Sequence, residues 1–265
     1  MTSPLPPVIS VRPLVRDSYR FVFGHLPLLL RLGWVWLLLA WLLGAVLEWL
    51  MNAATGRTLA ELVALPLLVA FAVAWHRASL SADPAGRGEA GRFGRRELRY
   101  LGMLLGLLVI LLLFLIFGGI LYLLASSGSA QAAAARPAML WLIGGLLLAG
   151  LFFGVRFILV FPAIAVGDRE ISLRRSWQLT RGNGARLFLA FLATCLPLML
   201  LKYAVVVSAG YALVSGPSGH GLSELAILMP LFLVLDFLNT AAAVGFMSQA
   251  YRAFTGRRDA AGSSS

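Results

Sequence analysis

Cysteine occurs once in the 265 residues, lysine once and histidine three times. A single thiol, Cys195, rules out an intrachain disulfide and a cysteine-based metal cluster. His25, His76 and His220 fall at separate helix ends or loops without the paired spacing of a metal site. They are expected at the interface rather than as ligands. Charged residues make up only 12% of the chain, against about 25% in soluble domains. With 60% hydrophobic residues and a mean hydropathy of +0.88, a water-soluble fold is excluded. Catalytic signatures are missing too: there is no Walker loop, no HExxH and no dinucleotide fingerprint. The run Ser215-Gly216-Pro217-Ser218-Gly219-His220 places serine near histidine without an acidic orienter or a strand-turn-helix context, and reads as a flexible loop. The expectation is a protein without catalytic residues, cofactor or metal.

What the chain has in quantity is apolar sequence in long runs. A hydrocarbon core about 30 Å thick needs roughly 20 apolar residues in a helix. Six runs meet that length, at about 26–51, 59–76, 101–125, 138–162, 187–214 and 225–250. The first begins after the opening 25 residues and far exceeds the ~7–15 residue core of a secretion signal. It ends in Glu48-Trp49 rather than a small-residue cleavage site, so it reads as retained. Pro66, Pro197 and Pro230 are expected to kink the second, fifth and sixth spans.

The arginines orient these runs. The net charge of +11 comes from short segments between them, not from a basic stripe interleaved with aromatics, so nucleic acid is not an expected partner. Seventeen arginines lie before the first run, after the second, after the fourth and after the sixth; only Arg57 and Arg136 lie in the other loops. Positive residues near helix ends stay cytoplasmic, so the expected topology has six spans and both termini inside. The fold class expected is an all-α polytopic membrane protein, three hairpins with amphipathic cytoplasmic surface helices. Residues 1–255 form one transmembrane domain, and 256–265 a disordered cytoplasmic tail.

Two arginine-rich segments share a frame. Ser18-Tyr19 followed by Gly24-His25 matches Ser176-Trp177 followed by Gly182-Asn183 in spacing, and both lead into an apolar run. A hairpin repeat is one reading and chance similarity of short amphipathic segments the other. Arg12, Arg16 and Arg20 recur every four residues beside Val11, Val15, Tyr19 and Val22, as in a helix lying at headgroup level. Four-residue spacing of small residues at Gly102/Gly106, at Gly150/Gly154 and more weakly at Ala241/Gly245 suggests close helix packing inside the bundle. Of Trp34, Trp36, Trp41 and Trp49, the last suits an outer aromatic belt.

Arg31, Arg156, Lys202, Asp236 and Asn239 interrupt the apolar runs. Arg31, Arg156 and Lys202 are long enough to snorkel, whereas the short Asp236 carboxylate near mid-membrane needs a partner or a proton. Arg156 is expected to reach Asp236, Asn239 or both inside the bundle, most simply as a static contact pinning two helices.

The most specific local pattern runs from Arg156-Phe-Ile-Leu-Val-Phe-Pro162 through Gly167-Asp168 to Ser172-Leu-Arg174-Arg175-Ser176-Trp177-Gln-Leu-Thr180-Arg181-Gly182-Asn183. It resembles a signature of YciC-like bacterial inner-membrane proteins and of the membrane domain attached to some glycerophosphodiester phosphodiesterases; Trp75-His76-Arg77 resembles a helix end in the same group. The resemblance implies a bacterial inner membrane but not phosphodiesterase activity, because the soluble catalytic barrel is absent. Read physically, Pro162 ends or bends a span, and Asp168 or Ser172 caps a surface helix. Trp177 anchors that helix at headgroup level, and Arg174, Arg175 and Arg181 face anionic phosphates. The expected function is a non-enzymatic membrane protein that binds anionic lipid or a membrane partner in envelope homeostasis. The alternative is a small-solute or proton-coupled transporter using Asp236 and Arg156.

Overall fold

A computed structural model describes residues 8–51, 53–80, 93–126, 130–215 and 221–256. Every element among them is a helix: α1 (Val11–Gly24), α2 (Leu26–Leu50), α3 (Ala53–Leu80), α4 (Arg95–Ser126), α5 (Ala130–Val155), α6 (Val160–Val166), α7 (Leu173–Leu179), α8 (Gly184–Ser215) and α9 (Gly221–Thr255). Five stretches are long and apolar enough to cross a membrane, Thr58–Leu80, Arg95–Leu123, Leu140–Val166, Gly184–Ser208 and Leu231–Thr255; Leu26–Val35 in α2 is a shorter apolar stretch. The tail from 257 and His220 lie outside the described residues.

Helices joined by short connections pack on each other: the most extensive contacts are α2 with α3, α4 with α5 and α8 with α9. α9 is the central helix, with 44% of its apolar window buried, while α4 buries 6% and presents Leu108, Val109, Leu112, Leu113 and Ile116 outward. Such a surface suits hydrocarbon, where leucine costs nothing to expose.

The best-packed region lies at the arginine-rich end. There the last turns of α3 and α9, the first turns of α8, and α1 and α6 bury Trp75, Phe161, Leu187, Phe246 and Tyr251. α1 is amphipathic as its spacing predicts, but the stripe it buries is Leu14, Ser18 and Val22, with Val11, Val15 and Tyr19 at its edge. Ser18 sits against α9, where its carbonyl is 3.7 Å from the position a Cβ would take on Gly245. Trp75 donates its indole N–H to the carbonyl of Ala241 at 3.1 Å on the same face.

The small-residue pair that looked weakest in sequence thus sits directly against the backbone of a neighbouring helix. Among the described residues no neighbouring helix comes within 4 Å of the position a Cβ would take on Gly102, Gly106 or Gly154, whereas one on Gly150 would meet Leu111 and Phe114 of α4. Gly33 was not expected to matter, yet the Phe237 ring lies where its Cβ would be. Only glycine admits that ring against the backbone of α2.

The fourth apolar run, expected to end or bend at Pro162, bends before it. α5 stops at Val155, and residues 156–161 tighten into i→i−3 hydrogen bonds, including Arg156 N to Phe153 O at 3.1 Å and Val160 N to Phe157 O at 3.1 Å. Pro162 is the third residue of α6, where a missing N–H costs little, but its ring excludes an α-helical turn directly before it. The bend therefore precedes the proline. Pro66 and Pro197 lie inside the continuous α3 and α8.

Candidate functional site

The bend at residues 156–161 frees a carbonyl and aims a cation. With Val160 N bonded to Phe157, the Arg156 carbonyl accepts instead from the Ser176 hydroxyl of α7 at 2.7 Å. In return the Arg156 guanidinium lies 3.4 Å above the Trp177 ring, donates to the Trp177 carbonyl at 3.0 Å and to the Thr180 hydroxyl at 3.4 Å. Trp177 stacks below on Phe157 and Phe153. One arginine is thus clamped by an α7 barely two turns long, and each polar group meets its complement. α7 starts with Ser172, whose hydroxyl accepts from Arg175 N at 3.2 Å, so the expected serine cap is present. It is followed by Gly182 at φ +79° and by Asn183, which accepts the Ile9 N–H at 3.1 Å and ties the N-terminal segment to α8.

Asp168 does not cap α7. α6 ends with Gly167 in the left-handed region at φ +79°, and Asp168 N returns to Ala163 O at 2.8 Å, a Schellman closure. The Asp168 carboxylate then accepts from Tyr251 of α9 and from the Glu170 N–H at 2.8 Å. Two cavities open on either side of this knot. The larger, about 390 Å³, is walled by Asp168, Glu170, Arg175, Leu179, Tyr251 and Phe254. The smaller, about 340 Å³, shares Gly167, Asp168 and Ile171 but is otherwise walled by Arg96, Arg99, Arg169 and Ile164. Charge separates them: the first sets one arginine against two carboxylates, the second three arginines against one.

The expected lipid-facing residues divide. Arg174, Arg175 and Arg181 are exposed, and Arg175 lines the larger cavity. Trp177 is only partly accessible beneath Arg156. Arg96, Arg99 and Arg169 were not singled out by sequence. Their convergence is tertiary, since the first turn of α4 meets the end of α6 at Gly167, whose missing Cβ leaves Arg96 Nη2 3.5 Å from that position.

The expected cluster of Arg156, Asp236 and Asn239 does not form. Gly184 lies beside Arg156, 3.6 Å from its Cδ at the Cβ position, which puts the arginine level with the start of α8. Asp236 instead pairs with Lys202 at 2.6 Å. Lys202 lies 18 residues further along α8, about 27 Å away at 1.5 Å per residue. The expectation failed because depth was projected along one straight helix, whereas α7 folds back and satisfies Arg156 first. Both members of the Lys202–Asp236 pair are partly exposed, at 38% and 52% of their side chains. Asn239 remains apart, its side-chain oxygen buried without a hydrogen-bond partner among the described residues.

His76, expected at an interface, is completely buried. α3 continues to Leu80 and carries it between α4 and α9. Ser248 donates to Val244 O at 3.1 Å, so its oxygen accepts from His76 Nδ1 at 2.8 Å, and His76 Nε2 accepts from the Tyr100 hydroxyl at 3.2 Å. Every polar atom in this chain of three side chains is used, the arrangement of a structural histidine. His25 is exposed and bonds Phe21 O. Among the described residues no group of histidine, cysteine or carboxylates is arranged to hold a metal. Trp34 and Trp41 are exposed, and the side chains of Trp36 and Trp49 are outside the described set.

A family model for a domain of unknown function, DUF7847, matches residues 96–254. The chain belongs to this family. The matched segment starts at Arg96 in the smaller cavity and ends at Phe254 in the larger, so it takes in the Arg156–Trp177 clamp and the Asp168 knot between. No curated protein and no solved structure matches the chain.

Proposed function

We propose that this DUF7847 protein is a non-enzymatic, six-span protein of the bacterial inner membrane, with both termini cytoplasmic, whose arginine-lined inner face binds anionic phospholipid in envelope homeostasis. The observation that carries this reading is the smaller cavity, where Arg96, Arg99 and Arg169 converge beside Asp168 at the arginine-rich end of the bundle. Arg174 and Arg181 extend the positive surface, and each such residue is worth about 1 kcal/mol near an anionic leaflet. The span added to the five membrane-length stretches is the first run, beginning at Leu26, and a placement with every arginine cluster on one side supports the orientation. The likeness to YciC-like proteins belongs to this proposal, carried by the stretch from Arg156 to Asn183. A transport path using Arg156 and Asp236 together has less support, because they have separate partners about 27 Å apart.

The test is lipid selectivity. Reconstituted in phosphatidylcholine vesicles, the full chain is expected to hold spin-labelled phosphatidylglycerol at its boundary in preference to spin-labelled phosphatidylcholine, with the preference falling as salt rises. Equal association of the two labels at low salt overturns the reading.

A further inference from the structure

The cavity of about 340 Å³ has features that a general positive surface lacks. Arg96 and Arg99 stand one turn apart at the start of α4, and Arg169 faces them from beyond the end of α6. Among the described residues none of the three makes a hydrogen bond or ion pair, so three arginines line one space with their donors free. Asp168, the one carboxylate in the wall, is held by Tyr251 and by the Glu170 N–H. The net balance is two positive charges. Gly167 at φ +79° keeps the floor clear of a side chain, and Ile164 and Ile171 supply an apolar wall beside the cations. Guanidinium donors grip phosphate oxygens in pairs, and an adjoining apolar wall accepts the carbon skeleton of an ester rather than a bare hydrated ion. The volume is at the small end of ligand cavities, suited to a headgroup and not to a whole acyl chain.

We infer that this cavity is a discrete binding site for one glycerol-linked phosphate ester, supplied by an anionic phospholipid of the inner leaflet whose acyl chains stay in the bilayer. The inference rests on the lipid-binding reading and narrows it from a surface to three arginines. The phosphate sits between Arg96, Arg99 and Arg169, and the glycerol lies against Ile164 and Ile171. The same chemistry occurs in soluble glycerol 3-phosphate, so the test separates the two sources.

Native mass spectrometry of the full chain in detergent, titrated with phosphatidylglycerol, is expected to show one lipid retained per chain. In the double variant R96Q/R99Q its affinity falls at least tenfold further than in R174Q/R181Q, which removes two charges of the broader surface outside the cavity. Soluble glycerol 3-phosphate competes at least a hundredfold more weakly than the lipid. Both pairs are surface substitutions, and unchanged thermal unfolding establishes that each variant is folded. Equal losses in the two double variants overturn the discrete site while leaving the broader lipid surface intact. Competition by glycerol 3-phosphate at the lipid's own affinity overturns the lipid source. Retention of no phosphatidylglycerol by the unaltered chain, with no label preference in vesicles, overturns both readings together.

Discussion

In α1 the Ser18 hydroxyl turns back to the Leu14 carbonyl at 2.6 Å, one turn earlier in its own helix; in α7 the Ser176 hydroxyl crosses to the Arg156 carbonyl at 2.7 Å, in a different segment. The aromatic neighbours differ in the same sense. Tyr19 donates its phenol to the Thr194 carbonyl of α8 at 2.6 Å, and burial, with Cys195 close by, raises its pKa and keeps it a neutral donor. Trp177 offers its ring face and its carbonyl to a cation. Gly24-His25 passes almost without a break into α2, while Gly182 turns the chain through φ +79° before α8. The difference follows from length. With 14 residues, α1 buries Leu14, Ser18 and Val22 along one stripe and is held by close packing; α7 has seven residues and buries only Ser176, so directional contacts must fix it. A shared spacing of serine, aromatic and glycine therefore specifies a short helix before a long apolar one, but not how that helix is fastened.

The widest separation between the two modes comes from α9. Replacing Gly245 by leucine drives a side chain into Ser18 and Val22 and should lift α1 off the bundle, lowering stability by about 3 kcal/mol in detergent thermal unfolding. Gly245→Ala makes an ordinary contact at 3.7 Å and is expected to be neutral or slightly stabilising. Equal losses for the two variants would mean that α1 is not held by close approach.

Breaking the polar fastening should have a smaller and more local effect. Arg156→Ala removes the cation over Trp177 and two hydrogen bonds, a loss of about 2 kcal/mol. Its signature is trypsin cleavage at the exposed Arg174, Arg175 and Arg181, accelerated several-fold while cleavage at Arg12, Arg16 and Arg20 stays at the rate of the unaltered chain. Arg156→Lys keeps the charge without the planar face and should fall between the two. Acceleration at all six sites alike would show that the clamp stabilises the whole bundle and not α7 alone.

What could be read from the residues was whatever depends on local pattern. The apolar runs containing α4, α5, α8 and α9 are visible from length alone, a cap at Asp168 or Ser172 from their positions, and the stretch from Arg156 to Asn183 as a unit. Arg156's true partners lie within that unit, yet the sequence directs attention to Asp236, because an isolated carboxylate in an apolar run calls for a cation. Nothing in linear order reveals that Lys202 answers it first. Arg96 and Arg99 gain meaning only when α4 meets Gly167, and His76 only when α9 supplies Ser248. Packing of distant helices decides all three, and hydropathy carries no information about which helix faces which.

The smallest predicted effect is the most direct reading of the two serines. Ser176→Ala leaves the Arg156 carbonyl, already outside the helical ladder, without its donor, and should cost about 1 kcal/mol. Ser18 bonds a carbonyl one turn back in a regular helix, an interaction that adds little because the same carbonyl accepts a backbone N–H. Ser18→Ala should therefore shift stability by less than about 0.5 kcal/mol in either direction, even though both side chains are completely buried. Measured side by side in one detergent, a clear loss for Ser176 and none for Ser18 ties the cost to the bend at residues 156–161. Losses of equal size would place it in burial of a polar side chain, and the two segments would then be fastened more alike than their hydrogen bonds suggest.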